Sequence, residues 1–170
     1  MKNCIVAQSG GPTAAINASL AGVIQGAFHH KYGRIYGSLN GITGILEERF
    51  LDLTEIFQEK KVLDQLKVSP AMYLGSCRYK LPNPSEDMTP YERIFSFFEK
   101  MEIAAFFYIG GNDSMDTVDK LSAYAAEIQS NVRIIGIPKT IDNDLCITDH
   151  TPGFGSAAKY VAASLLEIYH

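Results

Sequence analysis

Three short apolar runs, each followed by glycine or polar residues and then by a helix-type pattern, limit most strongly how this chain can fold. The runs are Cys4–Ala7, Ala104–Ile109 and Val132–Ile137. Continuous apolar runs of this length are typical of buried strands, and strands that alternate with helices indicate a parallel sheet. We therefore predict an α/β fold: a doubly wound, mostly parallel sheet with helices on both faces.

The remaining elements follow from apolar spacing and from cap-type residues. Helical spacing predicts three helices, at Ala14–Phe28, at about Met115–Ile128 and from about Ala157 onward. Two further short strands are predicted at Arg34–Leu39 and Met72–Leu74. Cap residues predict two more helices, one near Glu55–Leu66 that starts after Thr54, and one to about Met101 that starts at Thr89.

Composition excludes several classes of protein. The 170 residues carry a formal net charge of −4, so the chain has no overall positive field for a nucleic-acid partner. No apolar stretch approaches the roughly 20 residues of a membrane helix. The three cysteines lack metal-type spacing and fit free thiols in a reducing compartment. We expect a cytoplasmic protein that binds neither nucleic acid nor membrane.

Two glycine pairs follow strands and precede helices. Gly10-Gly11 comes after the first strand, and Gly110-Gly111 comes after the strand Ala104–Ile109. Glycine lets the backbone approach an anion, and a helix N-terminus supplies N–H groups to bind it. The pattern is neither a Walker loop nor the G-x-G-x-x-G dinucleotide motif. Tight connections without a ligand are an equal alternative, and Asn112 or Asp113 could simply cap the second helix.

Polar residues crowd the chain directly after the third strand, in Pro138-Lys139-Thr140-Ile141-Asp142-Asn143-Asp144. Ligands of open α/β sheets bind beyond the carboxyl ends of strands, so this segment and the two glycine pairs can share one rim. A solvated turn is the alternative, because Asp and Asn favour turns. Arg78 also follows a predicted strand; its guanidinium suits phosphate oxygens, although a surface charge is the more common role.

Taken together, these segments resemble the phosphofructokinase family, and more closely its pyrophosphate-dependent branch. The matching stretches are Gln8–Pro12 with Asn17, Gly75–Arg78, Gly110–Ser114, Pro138–Asp144 and Thr151–Gly155. They span nearly the whole chain, which would be only the first part of a family member. The resemblance implies a donor-binding α/β domain over residues 1–145 and the start of a substrate domain over 146–170. It also implies that the full-length protein is a homo-oligomer, a dimer or a tetramer.

The resemblance further implies Mg²⁺-dependent phosphoryl transfer to the 1-hydroxyl of fructose 6-phosphate. Asp142 matches the proton acceptor, and Thr140 and Ile141 flank it in the substrate-contacting loop. Gly11, with Gly10 beside it, matches the glycine whose backbone approaches the donor phosphate. Arg78 matches an arginine that lies against the transferring phosphoryl group.

Two positions bear on the phosphoryl donor. Members of the family that use ATP carry glycine where this chain has Asp113 and Lys139. The aspartate would exclude ATP by bulk and charge, and the lysine would add positive charge for pyrophosphate. We therefore predict pyrophosphate as donor. An ATP-dependent phosphofructokinase and a non-catalytic phosphate-binding module are the alternatives.

The metal position departs from the family pattern. Asn112 stands where most members have aspartate, so the predicted Mg²⁺ ligand is a weaker amide oxygen, and Asp113 or Asp144 could share the work. Family residues for the sugar's 6-phosphate correspond to positions beyond His170. We therefore expect the 170-residue chain alone to be inactive.

Overall fold

The computed structural model describes residues 2–169, apart from the Ala14 side chain, and consists of one five-stranded sheet and seven helices. The strands are β1 Asn3–Gln8, β2 Ile35–Ser38, β3 Phe50–Asp52, β4 Ile103–Gly110 and β5 Arg133–Pro138. The helices are α1 Ala14–His29, α2 Ile42–Leu46, α3 Leu53–Ile56, α4 Lys60–Val68, α5 Thr89–Lys100, α6 Asn112–Glu127 and α7 Phe154–Tyr169.

The sheet has the order β3-β2-β1-β4-β5, with β1 and β4 in its interior. β1 pairs in parallel with β2 and β4, β4 pairs in parallel with β5, and β3 joins β2 antiparallel. The predicted mostly parallel α/β sheet is therefore confirmed. Because parallel strands end on the same edge, the polar segments after β1, β4 and β5 leave the sheet on one side.

Helices cover both faces of the sheet, as predicted. On one face Leu20 and Ile24 of α1 pack with Leu63 of α4 and with side chains of β1 and β4. On the other face Tyr91 and Phe98 of α5 pack with residues of α6 and with Phe106. Each fully buried side chain of this size contributes roughly 1.5–3 kcal/mol relative to exposure, so these two clusters hold the strand ends in place.

The prediction of a strand at Met72–Leu74 is wrong, and the sheet contains β3, which was not predicted. The backbone N–H of Tyr73 donates to the Asn17 side chain at 3.0 Å, and that of Leu74 donates to Gln8 Oε1 at 2.9 Å. These amides are bound by buried side chains from other parts of the chain. A sequence pattern cannot show such long-range partners.

The cap assignments also need correction. The predicted helix near Glu55–Leu66 is two helices, α3 and α4, and Asp52 rather than Thr54 caps α3, accepting from Thr54 N at 2.9 Å. The Thr54 hydroxyl accepts from Ile35 N instead. Thr89 is the first residue of α5 and donates its backbone N–H to Asp87.

Strand β5 and helix α7 are more exposed than their apolar sequences suggest. The burial of β5 alternates, and Ile135 remains 36% exposed, so the prediction of a buried strand is wrong for this edge position. No residue of α7 is buried among the described residues. Within residues 2–169, no helix has the length and apolarity needed to cross a membrane.

Candidate phosphate-binding cleft

A cleft of about 640 Å³ opens at the carboxyl ends of β1 and β4. Backbone and side chains from three separate segments line it: Ser9–Pro12, Ser76–Lys80, and Tyr108 with Gly111, Asp113 and Ser114. The structure therefore brings four predicted site residues together at one place: Gly10, Gly11, Arg78 and Asp113.

The two glycine loops, Ser9–Pro12 after β1 and Gly110-Gly111 at the end of β4, lie directly against each other. Ser9 N donates to Ile109 O at 2.9 Å, and Gly10 then adopts a φ of 81°. A Cβ on Gly10 would lie 3.3 Å from Gly111 N and 3.2 Å from Lys139 Nζ, so a side chain there would be crowded as well as strained. At Gly11 a Cβ would meet nothing within 4 Å. The backbone of Gly11 therefore borders open space in which an anion can approach it.

Lys139 lies behind the first glycine loop and is bonded to it. Its backbone N–H donates to Gly110 O at 2.8 Å, and its ammonium donates to Gly11 O. The side chain reaches across from β5 to β1 and is only 9% exposed as a residue. Burial lowers the pKa of Lys139 from its usual value, and the nearby negative charge of Asp142 partly opposes that shift.

The segment that carries Arg78 is tied to the first glycine loop by two hydrogen bonds. Ser76 Oγ donates to Gly10 O at 3.0 Å, and Ser9 Oγ donates to Cys77 O at 3.1 Å. Gly75 turns this segment with a φ of 74°. Arg78 is exposed on the cleft, where its guanidinium is available to an anion.

Thr140, Ile141 and Asp142 form the loop that follows β5, with Thr140 half-buried and the other two residues exposed, and none of the three lines the cleft. The hydroxyl of Thr140 accepts from Asp142 N at 3.0 Å, which fixes a tight turn. Asn143 Oδ1 accepts from Thr151 N at 2.9 Å and holds the end of the loop. Asp142 is exposed, and its negative charge acts on Lys139, but Asp142 is not among the residues that line the cleft.

Asn112 and Asp113 occupy the first turn of α6, which begins three residues earlier than predicted. Neither side chain caps the helix, because the N-cap residue is Gly111. Asn112 Nδ2 donates to Asp144 Oδ2 at 3.3 Å, so the amide and this carboxylate form a pair. Among the described residues, no group of three or more His, Cys, Asp or Glu side chains could hold a metal ion.

Sequence reasoning missed three residues of the cleft wall: Tyr79, Lys80 and Tyr108. Lys80 lies two residues after Arg78, a spacing that places both side chains on one side of an extended segment and could have pointed to it. Tyr79 gave no such signal, and neither did Tyr108, because a tyrosine within an apolar strand usually belongs to the core. Burial raises the pKa of Tyr108 to about 12, so its hydroxyl keeps its proton at neutral pH.

Glycine loops, helix N-termini and cations that face one cleft at the carboxyl edge of a parallel sheet define a phosphate-binding α/β protein. A family model described as "Phosphofructokinase" matches residues 3–170. The chain belongs to the phosphofructokinase family.

Similar proteins and solved structures include members of the pyrophosphate-dependent branch of this family. A pyrophosphate–fructose 6-phosphate 1-phosphotransferase of Halomonas elongata is 45% identical over 167 residues, which cover 97% of this chain and 39% of the relative. The crystal structure of a pyrophosphate-dependent phosphofructokinase from Nitrosospira multiformis has a TM-score of 0.85 and 46% identity, and the match covers 98% of this chain and 41% of that one. An ATP-dependent 6-phosphofructokinase of Teredinibacter turnerae is 32% identical over 165 residues, 97% of this chain and 47% of the relative. The chain thus spans about two-fifths of the length of its pyrophosphate-dependent relatives.

Proposed function

We propose that the protein to which this chain belongs transfers a phosphoryl group from pyrophosphate to the 1-hydroxyl of fructose 6-phosphate. The convergence of Gly10, Gly11, Arg78 and Asp113 on one cleft carries the proposal, together with the bond from the Lys139 ammonium to Gly11 O. The names of the Halomonas elongata and Nitrosospira multiformis relatives support the same donor and, for the former, the same acceptor. We extend the proposal to a homo-oligomeric full-length protein, as the family resemblance implies.

In this proposal Asp142 accepts the proton of the attacking hydroxyl. The hydroxyl oxygen forms a bond to the terminal phosphorus, the bond from that phosphorus to the bridging oxygen breaks, and inorganic phosphate leaves. A carboxylate within reach of the hydroxyl removes the proton as the new bond forms. The turn between Thr140 and Asp142 supports this role, because it restrains the backbone that carries the carboxylate. Thr140 and Ile141 would contact the sugar on either side.

The cations and amides of the cleft would stabilise the transferring group. Charge spreads over the phosphoryl oxygens in the transition state, and fixed donors at that position lower the barrier. Arg78 is exposed on the cleft and would bind these oxygens. Lys139 would supply a second positive charge, and it also covers the carbonyl oxygen of Gly11, which would otherwise repel an anion.

Asp113 would determine which phosphoryl donor can bind in the cleft. Its carboxylate lies in the cleft wall on the first turn of α6. In this proposal a bound pyrophosphate would end before this position, whereas the extra phosphate of a nucleotide would meet a negative charge there. Like charges at such a contact cost several kcal/mol, which is enough to exclude ATP.

The side chains of Asn112 and Asp144 fit a Mg²⁺ ion that is also bound by the phosphates of the substrate. Asn112 Nδ2 donates to Asp144 Oδ2 at 3.3 Å, so a rotation of the Asn112 amide would bring its oxygen beside the carboxylate. Mg²⁺ usually takes one or two protein ligands together with phosphates and water. When bound, the ion would neutralise phosphate charge. Asn112 and Asp144 are therefore the residues we assign to it.

The proposal is tested by measuring fructose 1,6-bisphosphate formation by the full-length protein with pyrophosphate and, separately, with ATP. We expect turnover with pyrophosphate in the presence of Mg²⁺ and little turnover with ATP. Equal turnover with both donors would contradict the assigned donor. Absence of turnover with either would contradict the assigned reaction.

The 170-residue chain by itself is expected to show no turnover with pyrophosphate and fructose 6-phosphate. It contains the residues proposed for the donor cleft and for proton removal, but no group assigned to the sugar's 6-phosphate. A coupled assay at a high concentration of the purified chain checks this result, with the full-length protein as the positive control. Measurable turnover by the chain alone would show that the acceptor site is complete within these residues.

The affinity for pyrophosphate is expected to fall with rising pH earlier than for a site with an ordinary lysine. The lowered pKa of Lys139 means that its ammonium loses its proton below the usual lysine value of 10.5. The neutral amine then attracts pyrophosphate less. Calorimetric titration of the full-length protein with pyrophosphate at increasing pH measures this loss. A Lys139→Arg variant should keep its affinity over the same range, because arginine stays charged; parallel losses in both proteins would exclude Lys139 as the cause.

A further inference from the structure

We propose that Asn17 and Gln8 are positioning residues that hold the Arg78 segment against the first glycine loop. This inference deepens the proposed function and rests on it. Neither side chain lines the cleft, and both are buried, with exposures of 1% for Asn17 and 0% for Gln8. A buried amide with all its bonds made is a rigid and directional link, because leaving any of those groups unpaired is costly.

Asn17 projects from α1 and binds the chain just before the Arg78 segment. Its Nδ2 donates to Pro70 O at 2.9 Å and to Ser69 Oγ at 3.2 Å, with a longer contact of 3.4 Å to Ser69 O. Its Oδ1 accepts from Tyr73 N at 3.0 Å. One side chain therefore bonds both ends of the stretch from residue 69 to residue 73.

Gln8, the last residue of β1, completes the link. Its Oε1 accepts from Leu74 N at 2.9 Å, and its Nε2 donates to Ile16 O at 3.1 Å and to Asn17 Oδ1 at 3.2 Å. The residue that directly precedes the first glycine loop thus also holds the backbone directly before Gly75. The two sides of the cleft share one buried hydrogen-bond network.

The position of Arg78 depends on this network, because the segment from residue 69 to residue 78 belongs to no strand and contains only the end of a helix at Ser69. Beyond the network, Asn40 donates from its backbone N–H to Leu74 O at 2.8 Å and from Nδ2 to Ser76 O at 3.3 Å. Ser76 Oγ donates to Gly10 O, and Ser9 Oγ donates to Cys77 O. Arg78 follows two residues after Ser76. Loss of the Asn17 bonds would free the start of the segment, and a displacement of about 1 Å at a catalytic group can cost on the order of 10²-fold in rate.

The test uses Asn17→Asp in the full-length protein. Aspartate keeps the shape of the side chain and the oxygen that accepts from Tyr73 N, but it places an oxygen against Pro70 O. We expect kcat/KM for pyrophosphate to fall about 10- to 100-fold. In an Arg78→Ala background the same substitution should cost less than about threefold, because two changes that act through one group are not additive. Equal costs in both backgrounds would overturn the proposal.

Thiol labelling provides a readout that needs no turnover. Cys77 is half-buried next to Arg78, with its Sγ 3.8 Å from Ser9 Oγ, whereas Cys146 is exposed and Cys4 is buried. Alkylation of the three cysteines is followed by peptide mass spectrometry. In Asn17→Asp, Cys77 should react about fivefold faster relative to Cys146, the factor expected for the loss of one net hydrogen bond. Cys4 should stay unlabelled, which shows that the fold is intact.

Two further variants keep the test decisive. Asn17→Ser removes the amide without adding a carboxylate and should change both readouts in the same direction, even if the aspartate variant folds poorly. Asn3→Asp is the matched control: Asn3 lies at the opposite end of β1 and bonds Met101 O and Arg34 N, each at 2.8 Å. It should leave the Cys77 rate and the KM for pyrophosphate unchanged. An unchanged Cys77 rate in both Asn17 variants overturns the inference, while a wild-type protein without pyrophosphate turnover overturns only the proposed function.

Discussion

Replacing Asp142 by Asn in the full-length protein is expected to lower kcat about 10²–10⁴-fold, the usual contribution of a general base. The amide has nearly the same shape but accepts no proton from the attacking hydroxyl. Asp142 is exposed, and its backbone N–H bonds the Thr140 hydroxyl, so the substitution should leave the loop and the stability of the fold intact. Steady-state assays with pyrophosphate and fructose 6-phosphate measure the effect, together with thermal unfolding.

A matched control lies in the same stretch of chain. Asp149 is also exposed, and its backbone carbonyl accepts from Asn143 Nδ2 at 3.2 Å, so Asp149→Asn makes the same change of charge without touching that bond. We expect its kcat to stay within about twofold of wild type, as for a surface substitution away from the chemistry. If Asp142→Asn retained the wild-type rate, the assignment of Asp142 as the base would be wrong, and a non-catalytic phosphate-binding role would gain support.

The second large effect is expected when the preference for pyrophosphate over ATP is changed by substitution. Replacing Asp113 and Lys139 together by Gly should raise the ratio of kcat/KM for ATP to that for pyrophosphate by at least about 10²-fold. The carboxylate that would meet a nucleotide is removed from the cleft wall. The cation that covers Gly11 O is removed as well, so pyrophosphate loses part of its binding.

The single variants separate the two causes. Asp113→Gly should act mainly by admitting ATP, and Lys139→Gly mainly by weakening pyrophosphate. Asp119→Gly is the control, because it also replaces an exposed aspartate of the same helix by glycine, a weak helix former. A double variant that lost pyrophosphate turnover without any gain in the use of ATP would contradict the steric account of Asp113.

The sequence predicted the strands and helices that have strong local signals. The apolar runs of β1 and β4 and the helical spacing of α1 and α6 placed these four elements to within a few residues. The glycine pairs then indicated where the chain leaves the sheet. These predictions succeeded because apolar periodicity and turn chemistry act over neighbouring residues.

The same reasoning failed where a residue's partner lies far away in the chain. Met72–Leu74 looks like a strand, but Gln8 and Asn17 bind its amides. Val132–Ile137 looks like a buried strand, but within residues 2–169 β5 forms an edge of the sheet. Thr54 looks like a helix cap, but its hydroxyl accepts from Ile35 N. For Met72–Leu74 and Thr54 a contact across many residues overrode the local pattern, and for β5 its position at the edge of the sheet did so.

The sequence by itself determined the kinds of residue available to the site: glycines after two strands, an arginine, a lysine and a group of carboxylates after a third. Only the tertiary structure decided that Lys139 reaches the Gly11 carbonyl, that Asp113 faces the same cleft as Arg78, and that Asn112 pairs with Asp144. The physical reason is the parallel sheet, which brings the carboxyl ends of β1, β4 and β5 to one edge although more than a hundred residues separate the first from the last.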